Sequence, residues 1–354
     1  MTSEILEAER PMEADSLHRA SALLNYLAPL QPFLADQSLT EICVNRPGEV
    51  FTEGQSGWRR EGVPALDFER CKQLATLIAT YSNQKVNDAQ SILSATLPHG
   101  ERVQVVVPPV AEPGTVSFTI RKPTSVEFTL DDYEKFGAFR NVLIQSDVLQ
   151  PHERDLIRLK DEGRFKEFLI LAVQTRMNII VSGPTGSGKT TFMKSLVQHV
   201  PKDERLISIE NVDELGLQRV VPNYVKLFYS AGGQGLSKAS MKDLMESGLR
   251  MKPDRIFAAE LIRGDEAFYY MRNVGSGHPG SITSMHGNST RGAFEQLVLF
   301  IKESVAGSSL SRDDIKHMLY SCVDVVVQFK NVRGHGRVVT EIYYDPEFKR
   351  KHLG

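Results

Sequence analysis

Long apolar runs are missing from this chain. Stretches such as Val105-Val106-Val107 and Phe168-Leu169-Ile170-Leu171 fall far short of the roughly 20 apolar residues that span a bilayer, so any membrane association is expected to be peripheral or through a partner. Cysteine is scarce as well. Cys43, Cys71 and Cys322 lie far apart with no CxxC spacing, which suggests neither a zinc site nor a disulfide framework and fits a reducing cytoplasm. The opening residues are acidic at Glu4, Glu7 and Glu9 and lack the basic start and apolar stretch of a signal peptide, so no secretion is expected. Neither sign of charge is in excess: 42 Lys and Arg face 44 Asp and Glu, a formal charge of −2. That balance gives no support to a nucleic-acid coat, although a local basic groove is compatible with it. Internal repeats and low-complexity tracts are also lacking.

What is present is an ordinary globular composition, 41% hydrophobic and 24% charged over 354 residues, long enough for two hydrophobic cores. Residues 1–15 read as a loose tail, and an apolar helix pattern begins near Leu17 with Leu23, Leu24 and Leu27. Short β-rich runs at Glu41 to Asn45 and Glu49 to Thr52 flank Arg46-Pro47-Gly48, which predicts a hairpin turn. Cys71, Leu74, Leu77 and Ile78 share one face of a helix between Glu69 and Thr80, and Val103 to Val107 and Thr115 to Arg121 are strand-like. Residues 16–123 thus read as a small α+β domain. The pattern breaks at Pro123, and Thr129-Leu130-Asp131-Asp132 looks like a capping box, placing a linker at 124–150.

From 151 to 354 the reading is α/β. Phe165, Phe168, Leu169, Ala172 and Val173 mark a helix expected to pack on a sheet, with a membrane surface as its alternative. Strand-like runs follow at Asn178 to Val181, Leu206 to Glu210, Val225 to Tyr229, Arg255 to Glu260, Ser281 to Met285 and Val323 to Phe329, alternating with helices. A Gly-rich loop is expected at 230–235.

Gly183-Pro184-Thr185-Gly186-Ser187-Gly188-Lys189-Thr190 fits the phosphate-loop pattern G-x-x-x-x-G-K-[ST] in full. Chance supplies that pattern in roughly one chain of this length per hundred. The buried-strand run Ile179-Ile180-Val181 before it, and the apolar face Phe192, Met193, Leu196, Val197 and Val200 after Thr191, provide the strand, loop and helix that the chemistry requires. Glycines let backbone N–H groups close around phosphate oxygens, and the helix offers its positive N-terminus. Lys189 adds a mobile charge for the β- and γ-phosphates, and the Thr190 hydroxyl is placed to ligate Mg²⁺. ATP and Mg²⁺ are the expected ligands. A carboxylate at the end of a neighbouring strand completes such a site. Two candidates exist: Glu210 running into Asn211-Val212-Asp213-Glu214, and Glu260 after Arg255 to Ala259. Gly277 to Asn288 carries His278 and His286 around a short strand, without the partners a zinc site needs. Its Gly and Thr residues point to close backbone approach and a role for the histidines in sensing the γ-phosphate.

These elements in this order, with Glu41 to Glu49, Gly100-Glu101-Arg102-Val103-Gln104 and Ser117 to Pro123 ahead of them, resemble the secretion ATPase superfamily, specifically the hexameric traffic ATPases of bacterial type IV secretion systems. The resemblance covers almost the whole chain. It implies a RecA-like P-loop C-terminal domain with a smaller α+β N-terminal domain, and a homo-hexamer at the cytoplasmic face of the inner membrane. ATP hydrolysis would drive domain motion for substrate transfer and pilus assembly. Partners would be the other secretion components there: the coupling ATPase, the membrane ATPase and inner-membrane proteins. Direct nucleic-acid binding is not expected.

Carried over by motif, Glu214 matches the glutamate that orients or deprotonates water, and Glu260 the Walker B glutamate, acting on Mg²⁺ through water. His278 and His286 match the histidine box. Arg102 and Arg121 match N-domain arginines that reach the phosphates, a task suited to a planar fork. Which of Glu214 and Glu260 activates water stays open, as does the cargo. The chain departs from the family pattern at Asn211, where an aspartate is usual, at Ala259 in place of a glycine, and at Arg263, one position late; these bear on Arg263 more than on the ATPase assignment. Rival readings are a pilus assembly, pilus retraction or type II secretion ATPase of the same superfamily, a nucleic-acid motor, and a nucleotide-gated scaffold. The four-cysteine insert frequent in assembly members is missing, and no basic stripe interleaved with aromatics favours a nucleic-acid motor.

Overall fold

The computed structural model describes residues 19–123, 128–142, 148–230 and 232–353. The tail expected at 1–15, parts of the 124–150 linker and residue 231 of the Gly-rich loop lie outside them. The chain forms two compact units, Met1–Thr124 with Val225–Lys252, and Ser125–Tyr224 with Pro253–Gly354. No helix among the described residues is long and apolar enough to cross a membrane.

The first unit is built on an antiparallel sheet of β1 (Leu39–Val44), β2 (Glu49–Gly54), β3 (Gly57–Gly62), β4 (Ile92–Thr96), β5 (Arg102–Val106) and β6 (Ser117–Arg121), in the order β3-β2-β1-β6-β5-β4. The hairpin expected at Arg46-Pro47-Gly48 joins β1 to β2, with Gly48 at φ 84°, a backbone region in which a Cβ is strained. The helix Phe68–Tyr81 starts at Asp67, whose side chain accepts from Arg70 N–H, and buries Cys71, Leu74, Ala75, Ile78 and Ala79. That face joins Ile42, Val44, Val50, Val103, Val105, Phe118 and Ile120 in one core.

Val225–Lys252 packs with this unit through specific polar contacts. Ala111 bridges Leu227 on β9 (Tyr224–Phe228), Lys226 pairs with Glu112 at 2.7 Å, and Gln104 Nε2 donates to Ser247 Oγ at 2.9 Å. Lys252 closes on Glu53 at 3.0 Å.

The second unit holds the α/β sheet. In it, β7 (Ile179–Ser182) lies between parallel β11 (Ile282–Met285) and β12 (Val325–Val332), and β12 carries antiparallel β13 (Gly336–Tyr344) at the edge. Parallel β8 (Leu206–Glu210) and β10 (Arg255–Ala258) continue it on the far side of β11, where Leu261 N–H donates to Ser284 O at 2.8 Å. Ile179, Val181, Val325 and Val327 are buried among Phe168, Leu169, Ala172 and Val173 of the helix Phe165–Gln174, which packs on the sheet as expected. Because β7, β8, β10, β11 and β12 run in parallel, their carboxyl ends share one edge, the place where open α/β sheets bind ligands.

The helices Gly264–Val274 and Thr290–Glu303 cross at Gly264, where a Cβ would lie 2.2 Å from Phe300 O and 2.8 Å from Ser304 N. Both are backbone atoms, so alanine there forces the helices apart. Gly264→Ala is expected to destabilise the chain by about 1–3 kcal/mol, read as a lower unfolding midpoint; an unchanged midpoint would refute the close crossing.

Candidate nucleotide site

The site begins where β7 ends. Gly186 and Gly188 take φ 73° and 100°, which turn the chain from strand to helix with backbone N–H groups inward. Gly183 abuts β12, since a Cβ there would meet Phe329 O at 2.5 Å, and a Cβ on Gly188 would meet the Arg337 Cδ of β13 at 2.9 Å. Both contacts are with neighbouring strands, so these glycines let the loop pack closely on β12 and β13.

Lys189 opens the helix Lys189–Val197, and its side chain is only 7% exposed. Its Nζ donates to Gly183 O at 3.0 Å and Pro184 O at 3.3 Å, and lies 3.3 Å from His286 Nδ1 and 3.7 Å from Glu260 Oε1. Burial holds its pKa below the ordinary lysine value, and the Glu260 carboxylate partly offsets that. Glu260 Oε1 lies 3.4 Å from His286 Nε2. His286 thus stands between the two, with Nδ1 toward Lys189 and Nε2 toward Glu260.

The convergence follows from strand direction. Ser182 is in register with Met285 on one side and Gln328 on the other, so His286 emerges beside the loop. Gly287 turns away directly after it, since a Cβ there would lie 2.3 Å from Ser182 Oγ, and Gln328 Nε2 fixes the turn by donating to Gly287 O at 3.0 Å. His278 precedes β11 and falls at its amino end, where Gly280 and Ser281 N–H donate to Asn178 Oδ1 at 2.9 and 3.1 Å. Seven residues, the last four of them β11, separate the two histidines, and only His286 belongs to the cluster with Lys189.

The two acidic candidates stand in different surroundings. Glu210 is fully buried; its Oε2 accepts from Glu214 N–H at 2.8 Å and Leu215 N–H at 2.9 Å, and its Oε1 from Ser208 Oγ at 2.5 Å. Burial raises its pKa despite these donors. It shapes the loop that carries Glu214, whose own carboxylate is exposed. Glu260 is 34% exposed and engaged by Lys189 and His286.

Thr190 is half-buried and Thr191 exposed at the helix start, and Ser187 is buried in the loop. Arg102 and Arg121 lie in the first unit, directly opposite each other on β5 and β6. Sequence reasoning missed Gln328 and Arg337, which reach the loop from strands far along the chain and belong to no local pattern. It also missed that Glu210 is an acceptor for its own loop, for which the signal was present: a carboxylate closing a buried, largely apolar strand must find donors nearby.

Comparison with known proteins gives a consistent result. A family model described as "Type II/IV secretion system protein" matches residues 24–336. The type IV secretion system protein VirB11 of Bartonella henselae is 46% identical over 342 residues, covering 94% of this chain and 95% of that protein. PtlH of Bordetella pertussis is 38% identical over 325 residues, covering 90% and 94%. Among solved structures, the VirB11 ATPase from the Brucella suis type IV secretion system, in complex with sulphate, superimposes with a TM-score of 0.90 at 45% identity, covering 96% of this chain and 98% of that one.

Proposed function

This chain belongs to the type II/IV secretion system protein family, and from that premise we propose that it is an ATP-hydrolysing motor of a type IV secretion system. One observation carries the chemistry: Lys189, Glu260 and His286 meet at the carboxyl edge of the sheet, beside a glycine cradle that opens a helix. Relatives named for that secretion system, alike over nearly their full length, support the wider role.

In this reading the backbone of Gly183, Pro184, Thr185, Gly186, Ser187 and Gly188 wraps the phosphates, Lys189 neutralises their charge, and Thr190 and Thr191 follow at the helix start. Mg²⁺ would be held by the Thr190 hydroxyl, with Glu260 acting through water. Among the described residues no group of three or more His, Cys, Asp or Glu could hold a metal, and Mg²⁺ in such sites keeps its waters and takes phosphate oxygens instead. Such an ion would supply neutralising charge to the phosphates. Glu214, presented by the Glu210-pinned loop, aligns the attacking water, and His286 senses the γ-phosphate. Arg102 and Arg121 grip phosphate oxygens, and loss of the γ-phosphate loosens that grip, turning hydrolysis into domain motion. We extend the reading to a homo-hexamer at the inner-membrane periphery, working with other secretion components on a cargo that this chemistry does not name.

The test is steady-state ATP hydrolysis by the purified chain, with its mass in solution recorded with and without nucleotide. Turnover by a six-subunit particle is expected. A folded protein that neither binds nor hydrolyses ATP would overturn the reading.

A further inference from the structure

The first unit has a cavity of about 620 Å³, large enough for a nucleotide-sized ligand. Arg102, Arg121 and Arg250 line it, and among the described residues no aspartate or glutamate does. Its charge pattern is costly as it stands. Arg102 and Arg121 are cross-strand partners on β5 and β6, and like charges directly opposite one another destabilise a sheet. One carboxylate offsets them: Glu41, across β1 and β6 in the same row, pairs with Arg121 Nε at 2.6 Å. Glu41 itself is 3% exposed, and burial raises its pKa against the pull of Arg121.

Arg250 brings the third guanidinium from a distant part of the sequence. It caps the C-terminus of the helix Met241–Leu249, and that helix is fastened to the sheet by a chain of hydrogen bonds: Ser94 Oγ donates to Gln104 Oε1 at 2.6 Å and Gln104 Nε2 to Ser247 Oγ at 2.9 Å. Gln104 and Ser247 are 3% and 1% exposed, so the helix end, and Arg250 with it, is held at the cavity. Ser82, also in the lining, has a buried Oγ without a hydrogen-bond partner among the described residues. A helix C-terminus favours a cation by itself, but that does not account for two more guanidiniums sharing a cavity with it.

We propose that Arg250 is the third cation of a polyphosphate-binding pocket that it forms with Arg102 and Arg121. Three planar forks against one carboxylate call for a ligand of two or more negative charges with several oxygens to grip, which a phosphate chain supplies. The inference rests on the reading that Arg102 and Arg121 grip nucleotide phosphates, and adds a residue to that grip from a segment that leads, through Lys252 and Pro253, into β10 and so to Glu260.

The test is calorimetric titration of inorganic tripolyphosphate into the full chain carrying Lys189→Ala, which takes the lysine's charge out of phosphate binding and leaves the three arginines. Adding Arg250→Ala is expected to weaken binding about tenfold, Arg102→Ala to weaken it similarly, and Arg250→Lys to restore part of the loss. The unfolding midpoint should stay unchanged, since Arg250 is exposed. Equal affinity with and without Arg250→Ala, or no tripolyphosphate binding by the Lys189→Ala chain, would overturn the proposal. Wild-type ATP turnover, read in parallel, reports on the ATPase reading alone.

Discussion

Lys189→Ala is expected to lower kcat/KM for ATP by about 10²- to 10³-fold, the scale of losing a principal electrostatic contact to the transferring phosphoryl group. The ammonium stands among Gly183 O, Pro184 O, His286 and Glu260. Truncation removes the charge that the site supplies to the β- and γ-phosphates and leaves Glu260 facing them uncompensated. Repulsion should therefore add to the lost attraction and raise KM as well as lower kcat. The fold should survive, because the four apolar core residues of that helix and its loop, Met193, Leu196, Val197 and Val200, are untouched. Parallel measurement of turnover and thermal unfolding decides the matter. Wild-type turnover in the variant would remove the loop from the chemistry altogether.

Glu214→Gln is expected to lower kcat by about 10²- to 10⁴-fold, the range for a positioned acid or base, with little change in KM. Glu260 is already engaged, close to Lys189 and His286, and its charge sustains the protonated state of Lys189; it is better suited to holding cations than to taking a proton. Glu214 is exposed and rides on a loop that two backbone hydrogen bonds to Glu210 fix in place, so its carboxylate is available while its backbone is not free to wander. Glu260→Gln should instead alter the Mg²⁺ concentration needed for half-maximal turnover. The deciding comparison is kcat for the two variants at saturating ATP and Mg²⁺. A Glu214→Gln enzyme with wild-type kcat would transfer the water-activating role to Glu260.

The two predictions draw on parts of the site that differed in how readable they were. Gly183 to Thr190 could be found in the sequence because strand, loop and helix are contiguous: their geometry is set by local backbone preferences, with Gly186 and Gly188 at positive φ and an apolar strand before them. The buried strands β7, β8, β10, β11 and β12 were legible for a related reason, since a strand covered on both faces carries a run of mostly apolar residues, even where β8 and β11 include Ser208, Thr283 and Ser284. By contrast β3, with Arg59, Arg60 and Glu61 exposed, and β13, with Gly336, Arg337, Val339 and Thr340 exposed, are edge strands that carry no such run. β4 is short and half polar, and it too went unread.

Composition, periodicity and motif thus determined the α/β class, the phosphate loop and the list of residues able to do chemistry beside it. Tertiary structure decided which of them meet. Parallel strand direction brought His286 to Lys189 and left His278 at the other end of β11; burial turned Glu210 into the anchor of the Glu214 loop; and the Gln104 to Ser247 hydrogen bond joined Arg250 to a pair of arginines far behind it in the chain. The physical reason is the range of the forces involved. Backbone preferences and amphipathic patterns act over a few residues and are written locally, whereas strand register, desolvation and charge pairing depend on neighbours that only folding supplies.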